Sequence, residues 1–599
     1  KIELISDPSF EFDERPEGGI INIITRKISL TKYSGTLGVS ANTKNNLNSS
    51  ASLGYSYKDV YLRGKYFNGY TKLNTETNSE KSISLNNSNT YLRQSGNTDN
   101  NSNSNYFGLS LNLNPGINSS LFVQTGFRRS FTDNRRTIMN YLSGSNLSYA
   151  ETYRSNNNTH NQQRFFNSTA LYNKKFEKPG RTLGLVLGYV NNSMNMNNEL
   201  MQKNLLIDTN ASLGTGYQSN TSVNTNKTLS WGLNYADVFF ENIKFRTGYR
   251  GSFIRLSMDN RYTNLDQVCR IYIEDMGKRL LQRNEDTRHS AYGSVDGKLW
   301  DFRYGFGLSF EKKFQLSEQM ASNEKYSYTF FNIVPSFSLS RKFLDKYDLT
   351  LGFFRQCFYP QNRQLNPHTD YTDSTNLVMG NPDLEPSYDD IFTLRCSVPV
   401  CNQEFHLGAF YTKNSNLIER ITTQLNSKVS QTTYKNISSR ESFGIGVSTE
   451  STFFNCLRLD PDFSLSKTKY DSPTLYNNSL SWDAGIRSNL SINDFRLMLN
   501  FQYSSPSVSM QEKSRSVYYV NAAIKALFFN KALSLTLKAD DIFNTKNLNS
   551  DRYGTGFRTI NNIRQTTRII SLDISYFFQT QADEELRDLS NQEEYDDDF

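Results

Sequence analysis

The chain has 599 residues, 36% of them apolar and 13% aromatic, with 36 Tyr, 41 Phe, only 13 Pro and a formal net charge of +7. An apolar share below the ~45–50% usual for globular chains, joined to so many aromatics, excludes a disordered chain, which is poor in aromatic and β-branched residues, and leaves an all-β chain with one wet face. No run approaches the ~20 consecutive apolar residues of a membrane-spanning helix, and the cationic residues form no dense block of the kind that grips nucleic acid.

In chain order, the first element is "GGIINIITRK", residues 18–27. Gly18 and Gly19 allow close backbone approach, and Ile20, Ile21, Ile23 and Ile24 make a strand apolar on both faces. Such a strand needs a folded body around it. The chain opens at Lys1-Ile2-Glu3 as if in mid-domain and shows no secretory leader, so a preceding segment is expected to have been cleaved, truncated or left out.

From residue 33 onward the dominant signal is period two. In "DFRYGFGLSFE", 301–311, Phe302, Tyr304, Phe306, Leu308 and Phe310 share one face, and Arg303, Gly305, Gly307, Ser309 and Glu311 the other. The same alternation runs through "LSWDAGIRSNLSI", "DFRLMLNFQY" and "RIISLDISYFF". Strands are expected near 33–43, 49–59, 60–70, 104–114, 118–131, 164–176, 181–192, 228–240, 243–258, 287–299 and 301–314. The series continues near 330–343, 347–358, 390–400, 404–416, 438–454, 456–470, 479–492, 494–505, 515–529, 532–544 and 566–578. That makes about 22.

Connections after odd-numbered strands read as long loops, most clearly 71–103, 132–163, 193–227, 259–286, 359–389 and 545–565. Those after even-numbered strands are tight: "NPGI", "EKPG", "LWD", "FLDK", "IND", "FNK". An even strand number with tight turns at one end and long loops at the other characterises outer-membrane barrels. In hydrocarbon every backbone N–H and C=O must be paired within the protein, and a closed sheet does this without leaving an edge. Tyr55, Tyr57, Tyr518, Tyr519, Phe528 and Phe529 near strand ends suit aromatic girdles at the interfaces. A soluble repeat array would show a fixed sequence period, and none is present.

Three stretches carry a resemblance. "KIELISDPSF" leading to "PEGGIINIITRK" is similar to the end of the plug domain in TonB-dependent receptors, near the SusC-like outer-membrane β-barrel branch. "QLNPHTDYTDSTNLVMGNPDLEPSYDDIFTLRCS", 364–397, holds that family's G-N-P-x-L-x-P motif as Gly380, Asn381, Pro382, Leu384 and Pro386. "KADDIFNTKN" followed by a last strand ending at Tyr576, Phe577 and Phe578 resembles the family's closing strands. The resemblance implies a transmembrane antiparallel barrel over 31–578, preceded in 1–30 by the last plug strand and linker. It places the plug–barrel junction at Gly18, Gly19, Ile20, Asn22, Ile23 and Thr25. Long loops would then be extracellular and both termini periplasmic, with an acidic tail, 579–599, whose nine acids face one Arg. These 599 residues are expected to lack most of the family's plug and its energy-coupling box, so active transport is only what the resemblance implies.

No catalytic motif is found: there is no GxSxG, HExxH or phosphate loop. The five cysteines form no CxxC pair and only four histidines exist, so no metal site and no cofactor are expected. Arg303, Glu311, His406, Asp483, Arg487, Lys538 and Asp540 are expected on the inner face, as lumen lining or as a cross-strand polar lattice. Solute specificity is expected in the loops 71–103, 132–163 and 359–389. The leading expectation is a TonB-dependent receptor-like importer of a large solute such as a glycan, peptide or metal chelate, with no enzymatic activity. Its partners would be lipid and lipopolysaccharide, a TonB-type coupling protein and a surface lipoprotein or other outer-membrane or periplasmic proteins. The rivals are a barrel that scaffolds a larger outer-membrane complex and an unplugged diffusion pore.

Overall fold

The computed structural model describes residues 2–5, 20–23, 32–85, 88–116, 118–144, 149–205, 212–240, 243–320, 323–344, 346–371, 376–400, 403–426, 428–471 and 476–579. The wall is built from β1 (Lys32–Asn42), β2 (Leu47–Tyr57), β3 (Val60–Leu85), β4 (Ser88–Leu113), β5 (Ser119–Ser143), β6 (Tyr149–Lys175), β7 (Thr182–Leu205) and β8 (Ser212–Phe239). It continues with β9 (Ile243–Asp266), β10 (Leu280–Leu299), β11 (Phe302–Gln319), β12 (Glu324–Phe343), β13 (Tyr347–Phe358), β14 (Ser387–Val400) and β15 (Gln403–Gln424). The last seven are β16 (Ser430–Phe453), β17 (Leu457–Asp471), β18 (Tyr476–Ile492), β19 (Phe495–Ser504), β20 (Val517–Phe528), β21 (Leu533–Asp540) and β22 (Ile569–Gln579). Each pairs antiparallel with the next in sequence, and β22 closes on β1 in the register Ser571↔Asn42 through Gln579↔Ser34. The result is a closed barrel of 22 wall strands, as the sequence implied.

The two faces of the wall follow the alternation. On β11, Phe306, Phe310 and Phe314 are exposed on the outside, whereas Ser309, Glu311 and Gln315 are buried within. Leu480, Trp482 and Ile486 on β18 and Ile570, Leu572, Ile574 and Tyr576 on β22 also lie exposed on the outer face. At the closure Phe578 packs over Gly35 of β1. A Cβ on Gly35 would stand 2.6 Å from the ring Cε1 of Phe578 and 2.7 Å from the Ser52 carbonyl oxygen.

The long connections expected from sequence are corrected here. Strands β3 to β9 run for 24 to 28 residues, although a tilted crossing needs only ~9–11. Most of 71–103, 132–163, 193–227 and 259–286 is therefore strand. The β3–β4 pairing continues unbroken from Val60↔Leu113 to Leu85↔Ser88. These upper segments are Asn-, Ser- and Thr-rich on both faces, so they carry no apolar alternation, and a register fixed lower down extends them. Segment 541–568 likewise folds back as a hairpin, Leu548–Gly554 with Phe557–Gln565, whose second strand pairs with upper β3. It covers the edge of β3 that β2, with only 11 residues, leaves bare.

The opposite rim is made of tight turns. Phe240, Trp300, Leu344, Phe454 and Phe529 each open one of these turns in the left-handed region, with φ between 50° and 53°. All five are between 78% and 92% exposed, and each follows an exposed apolar strand-end residue (Phe239, Leu299, Phe343, Phe453 or Phe528).

Outside the wall, Ile2–Ile5 and Ile20–Ile23 pair antiparallel, Ile2↔Ile23 through Ile5↔Ile20. Ile20, Asn22 and Ile23, expected from sequence at the plug–barrel junction, lie in this two-stranded sheet, which is separate from the wall. Gly18, Gly19, Thr25 and the acidic tail from 580 lie outside the described residues. Cys269, Cys357, Cys396 and Cys456 are free thiols, and Cys401 lies outside the described residues.

Candidate functional site: the mouth of the barrel

The β15–β16 hairpin bends over the mouth at the long-stranded rim. Lys428 at its tip places Nζ 2.5 Å from a carboxylate oxygen of Glu151 on β6, nearly half the circumference away. Two other segments clamp its flanks. Residues Asn376–Val378 pair in parallel with Ser430–Thr432 on β16, and the side-chain amide of Gln511 bonds to both the N–H (2.8 Å) and the carbonyl (3.2 Å) of Thr422. Met510 is buried there against Ile437, Tyr470, Leu417 and Ile421. Backbone left unpaired by bending away from the wall is thereby satisfied again.

The loop from β13 to β14, residues 359–386, folds inward beneath this hairpin. Tyr359 accepts a hydrogen bond from the Asn332 amide (3.0 Å) and donates one to Glu311 (3.1 Å). A one-turn helix α1, Asn362–Leu365, follows. Asn362 bonds to Asp286 and receives a bond from Gln315, Asn366 joins Gln282 and Gln319, and Asp370 accepts from the Tyr262 hydroxyl. The loop is thus fastened along the inner faces of β9, β10 and β11 by side-chain hydrogen bonds.

The GNPDLEP motif is the clasp that returns the loop to the wall. The Gly380 N–H donates to the Asn366 carbonyl (2.8 Å) and the Asn381 N–H to that of Gln364 (2.6 Å). A Cβ on Gly380 would lie against the Asn366 carbonyl oxygen and 2.6 Å from that of Gln364, so backbone occupies the space of any side chain. The Asn381 amide donates to the Tyr434 carbonyl on β16 (3.0 Å), and its oxygen accepts the Asp383 N–H. Asn436 bonds to both the N–H and the carbonyl of Glu385, and Asn416 donates to the Pro386 carbonyl (3.0 Å). Leu384 is buried, and Pro382 and Pro386 stiffen the segment.

Between this loop and β8–β10 lies a cavity of about 250 Å³. Leu256, Met258 and Leu280 from the wall and Val378 from the loop give it apolar surface; Asn224, Asn284 and Arg363 give it polar groups. Sequence reading missed this site. Leu256 and Met258 sit on the inward face of β9, where polar residues are the rule, and that reversal was the available signal.

The inner-face residues named from sequence do not converge; they are distributed over β11, β15, β18 and β21. Arg288 donates to Glu311 across β10 and β11 (3.0 Å), Arg303 pairs with Asp348 at the turn rim, and Lys538 pairs with Asp573 (3.0 Å). His406 Nδ1 lies 3.1 Å from the Ser397 hydroxyl. Asp483, Arg487 and Asp540 stand at the same inward parity on their strands. Glu311, Arg303, Lys538 and His406 thus each meet a polar partner on another strand.

In "KADDIFNTKN" the residue that organises structure is the next one, Asp541. It is 1% exposed, accepts the N–H groups of Thr545 (2.9 Å) and Lys546 (3.1 Å) and the Thr567 hydroxyl, and donates its own N–H to Asn521.

A closed 22-stranded cylinder, greasy outside and polar within, defines an outer-membrane barrel, and its girth is that of the transporters whose lumen other chain segments fill. A profile of the outer membrane protein beta-barrel family matches residues 174–576. The chain belongs to that family and is an outer-membrane protein. Its fold is similar to that of the ferric yersiniabactin uptake receptor FyuA from Yersinia pestis, at 10% identity over 96% of this chain and 85% of that one, with a TM-score of 0.61. It is similar also to the copper transporter OprC (9% identity, 94% and 83% coverage, TM-score 0.60). The ferripyoverdine receptor of the outer membrane of Pseudomonas aeruginosa matches at 11% identity over 94% and 74%, with a TM-score of 0.61. At these identities the likeness concerns the fold. No curated protein matches the sequence.

Proposed function

We propose that the protein is a TonB-dependent receptor-like importer that captures a solute at the hairpin rim and admits it when the mouth rearranges. The observation that carries this reading is the β15–β16 hairpin braced across the lumen by Lys428 and Glu151, with a fastened loop and a ligand-sized cavity beneath it. A diffusion pore needs an open path, whereas a gated importer needs a covered binding site. In this reading the hairpin rim is extracellular and the tight-turn rim and both termini are periplasmic. The Ile20–Ile23 strand is the last strand of a plug, and a TonB-type protein supplies the energy. The G-G-x-I-N-I and G-N-P-x-L-x-P stretches support a place near the SusC-related branch, where a surface lipoprotein would be a partner. No chemical step is assigned to the barrel.

The test compares spent medium, by mass spectrometry, from cells lacking this barrel and cells lacking the inner-membrane coupling protein. The reading requires the same solute to persist in both. A solute whose uptake needs the barrel but not the coupling protein would sink it.

A second reading, a scaffold for a larger outer-membrane complex, is favoured by the 24- to 28-residue strands of β3–β9, which raise a tall wall beyond the membrane. Stoichiometric partners recovered without any barrel-dependent uptake would support it.

A further inference from the structure

On the outer face of β4, β5 and β6 three rings form one row: Phe107, Phe127 and Phe166 stand directly opposite one another across the strands. Phe107 and Phe127 are exposed there. The next row on the same face, toward the hairpin rim, reads Asn105, Arg129, Arg164 and Ser193. Beyond it Phe131 faces Gln162, and then Asp133 faces His160, so polar residues take over. The two arginines therefore sit where the wall passes from lipid-facing to water-facing, the level of lipid headgroups.

Arg129 and Arg164 are directly opposed in the register, which sets their Cα atoms about 5 Å apart, and both are exposed. Like charges placed so on a sheet are destabilising. Neither joins an ion pair among the described residues, and Asp133, further up β5 on this face, is taken by His160 at 2.6 Å. The Arg129 guanidinium stands 4.6 Å from the ring centroid of Phe131. Asn105, beside it, has its oxygen occupied by the Tyr66 hydroxyl (3.0 Å) and the Asn68 amide (2.8 Å), so it presents a donor. The patch is thus positive charge and donors, set against rings that face lipid.

We propose that Arg129 and Arg164 bind a phosphate monoester on the sugar headgroup of an outer-leaflet glycolipid, lipid A, whose acyl chains lie against Phe127 and Phe166. Two guanidinium forks abreast match a phosphate monoester, which approaches two negative charges. The phosphodiester of an ordinary phospholipid carries one charge and leaves one guanidinium uncompensated. Asn105 and Ser193 flank the pair as hydrogen-bonding groups for the sugar. A protein carboxylate would answer the charge, but the rings below the pair place acyl chains at this spot. The assignment goes beyond the importer reading and takes from it only the orientation, with the hairpin rim outward.

The test is equilibrium binding to the full chain in uncharged detergent micelles, using lipid A, enzymatically dephosphorylated lipid A, phosphatidylglycerol and inorganic phosphate as probes. Lipid A should bind tighter than its dephosphorylated form by about tenfold to a hundredfold, the size expected for charge-assisted hydrogen bonds. In the double variant Arg129→Gln/Arg164→Gln that preference should vanish, while the heat-modifiable gel shift of a folded barrel is kept. Lys467→Gln, a substitution on the outer face of β17 far from the patch, should keep the preference. Equal binding of the two lipid A forms, equal binding of phosphatidylglycerol, full competition by inorganic phosphate, or a preference that survives the double variant would each overturn the assignment. So would a protein that co-purifies through the arginines with lipid A content unchanged. Labelling of the exposed Cys269 at the hairpin rim by a membrane-impermeant maleimide on intact cells checks the orientation separately. Labelled cells without a lipid A preference remove the lipid site and leave the importer; unlabelled cells remove the orientation on which both stand.

Discussion

Lys428 and Glu151 meet at 2.5 Å although β6 and the β15–β16 turn stand on nearly opposite sides of the barrel. Their side chains remain 46% and 33% exposed, so the pair itself contributes only ~0.2–1 kcal/mol. The main holding forces are the flanking clamps at Ser430–Thr432 and Thr422. The pair biases the hairpin and does not lock it.

Reversing one charge should therefore open the mouth measurably. Lys428→Glu and Glu151→Lys should each raise single-channel conductance in planar bilayers, with an open fraction up to about fivefold higher, as ~1 kcal/mol allows. The double reversal should restore the closed baseline. Unchanged conductance in both singles would show that the hairpin does not obstruct the lumen.

Gly380→Ala should release the loop. A methyl group there meets the backbone of Gln364 and Asn366, which cannot move aside as a flexible side chain would, and overpacking of this kind costs about 1–3 kcal/mol. Limited proteolysis should cut within 359–386 in the variant and spare the wild type, with the barrel band unaltered. Identical digestion patterns would mean that the clasp tolerates the methyl.

Asp541 tests whether the end of β21 is held by one buried carboxylate. Asp541→Ala orphans the N–H groups of Thr545 and Lys546 and the Thr567 hydroxyl. It should cost about 1–3 kcal/mol and lower the temperature at which the folded gel band is lost. Asp541→Asn, which keeps one acceptor oxygen, should fall between the two. Equal loss temperatures for all three proteins would dismiss that role.

At the tight-turn rim, Phe454 holds φ 51° while 92% exposed. A left-handed conformation costs a non-glycine residue ~1–2 kcal/mol, and an Asn accepts it more readily. The ring is justified only by an apolar neighbour, which lipid beside the exposed Phe453 would supply. Phe454→Asn should be neutral or stabilising in small micelles, yet destabilising by about 1 kcal/mol in bilayers, where burial of the ring is lost. The same sign of change in both media would count against contact with lipid.

How much of this was readable beforehand differs between the two halves of each strand. In the lower half, Phe306, Phe310 and Phe314 opposite Ser309, Glu311 and Gln315 announce a wall with lipid on one side and water on the other. In the upper half of β3 and β4, "TETNSE" and "NTDNNS" are wet on both faces, so strand and loop look alike. Hydrogen-bond register propagating from below is what makes them strand. The GNPDLEP motif was visible as a stiff turn, but not that its glycine abuts Gln364 and Asn366.

The sequence by itself determined the barrel: its strand count, its outer and inner faces and its tight turns, because a two-residue period is a local property that lipid and water enforce residue by residue. Only the tertiary structure decided what fills the mouth. Glu151 with Lys428, and Asn366 with Gln282 and Gln319, are brought together by the curvature of the closed sheet and the inward bend of one hairpin and one loop. Contacts across a lumen leave no periodic trace in the chain, since each partner obeys only the pattern of its own strand or loop.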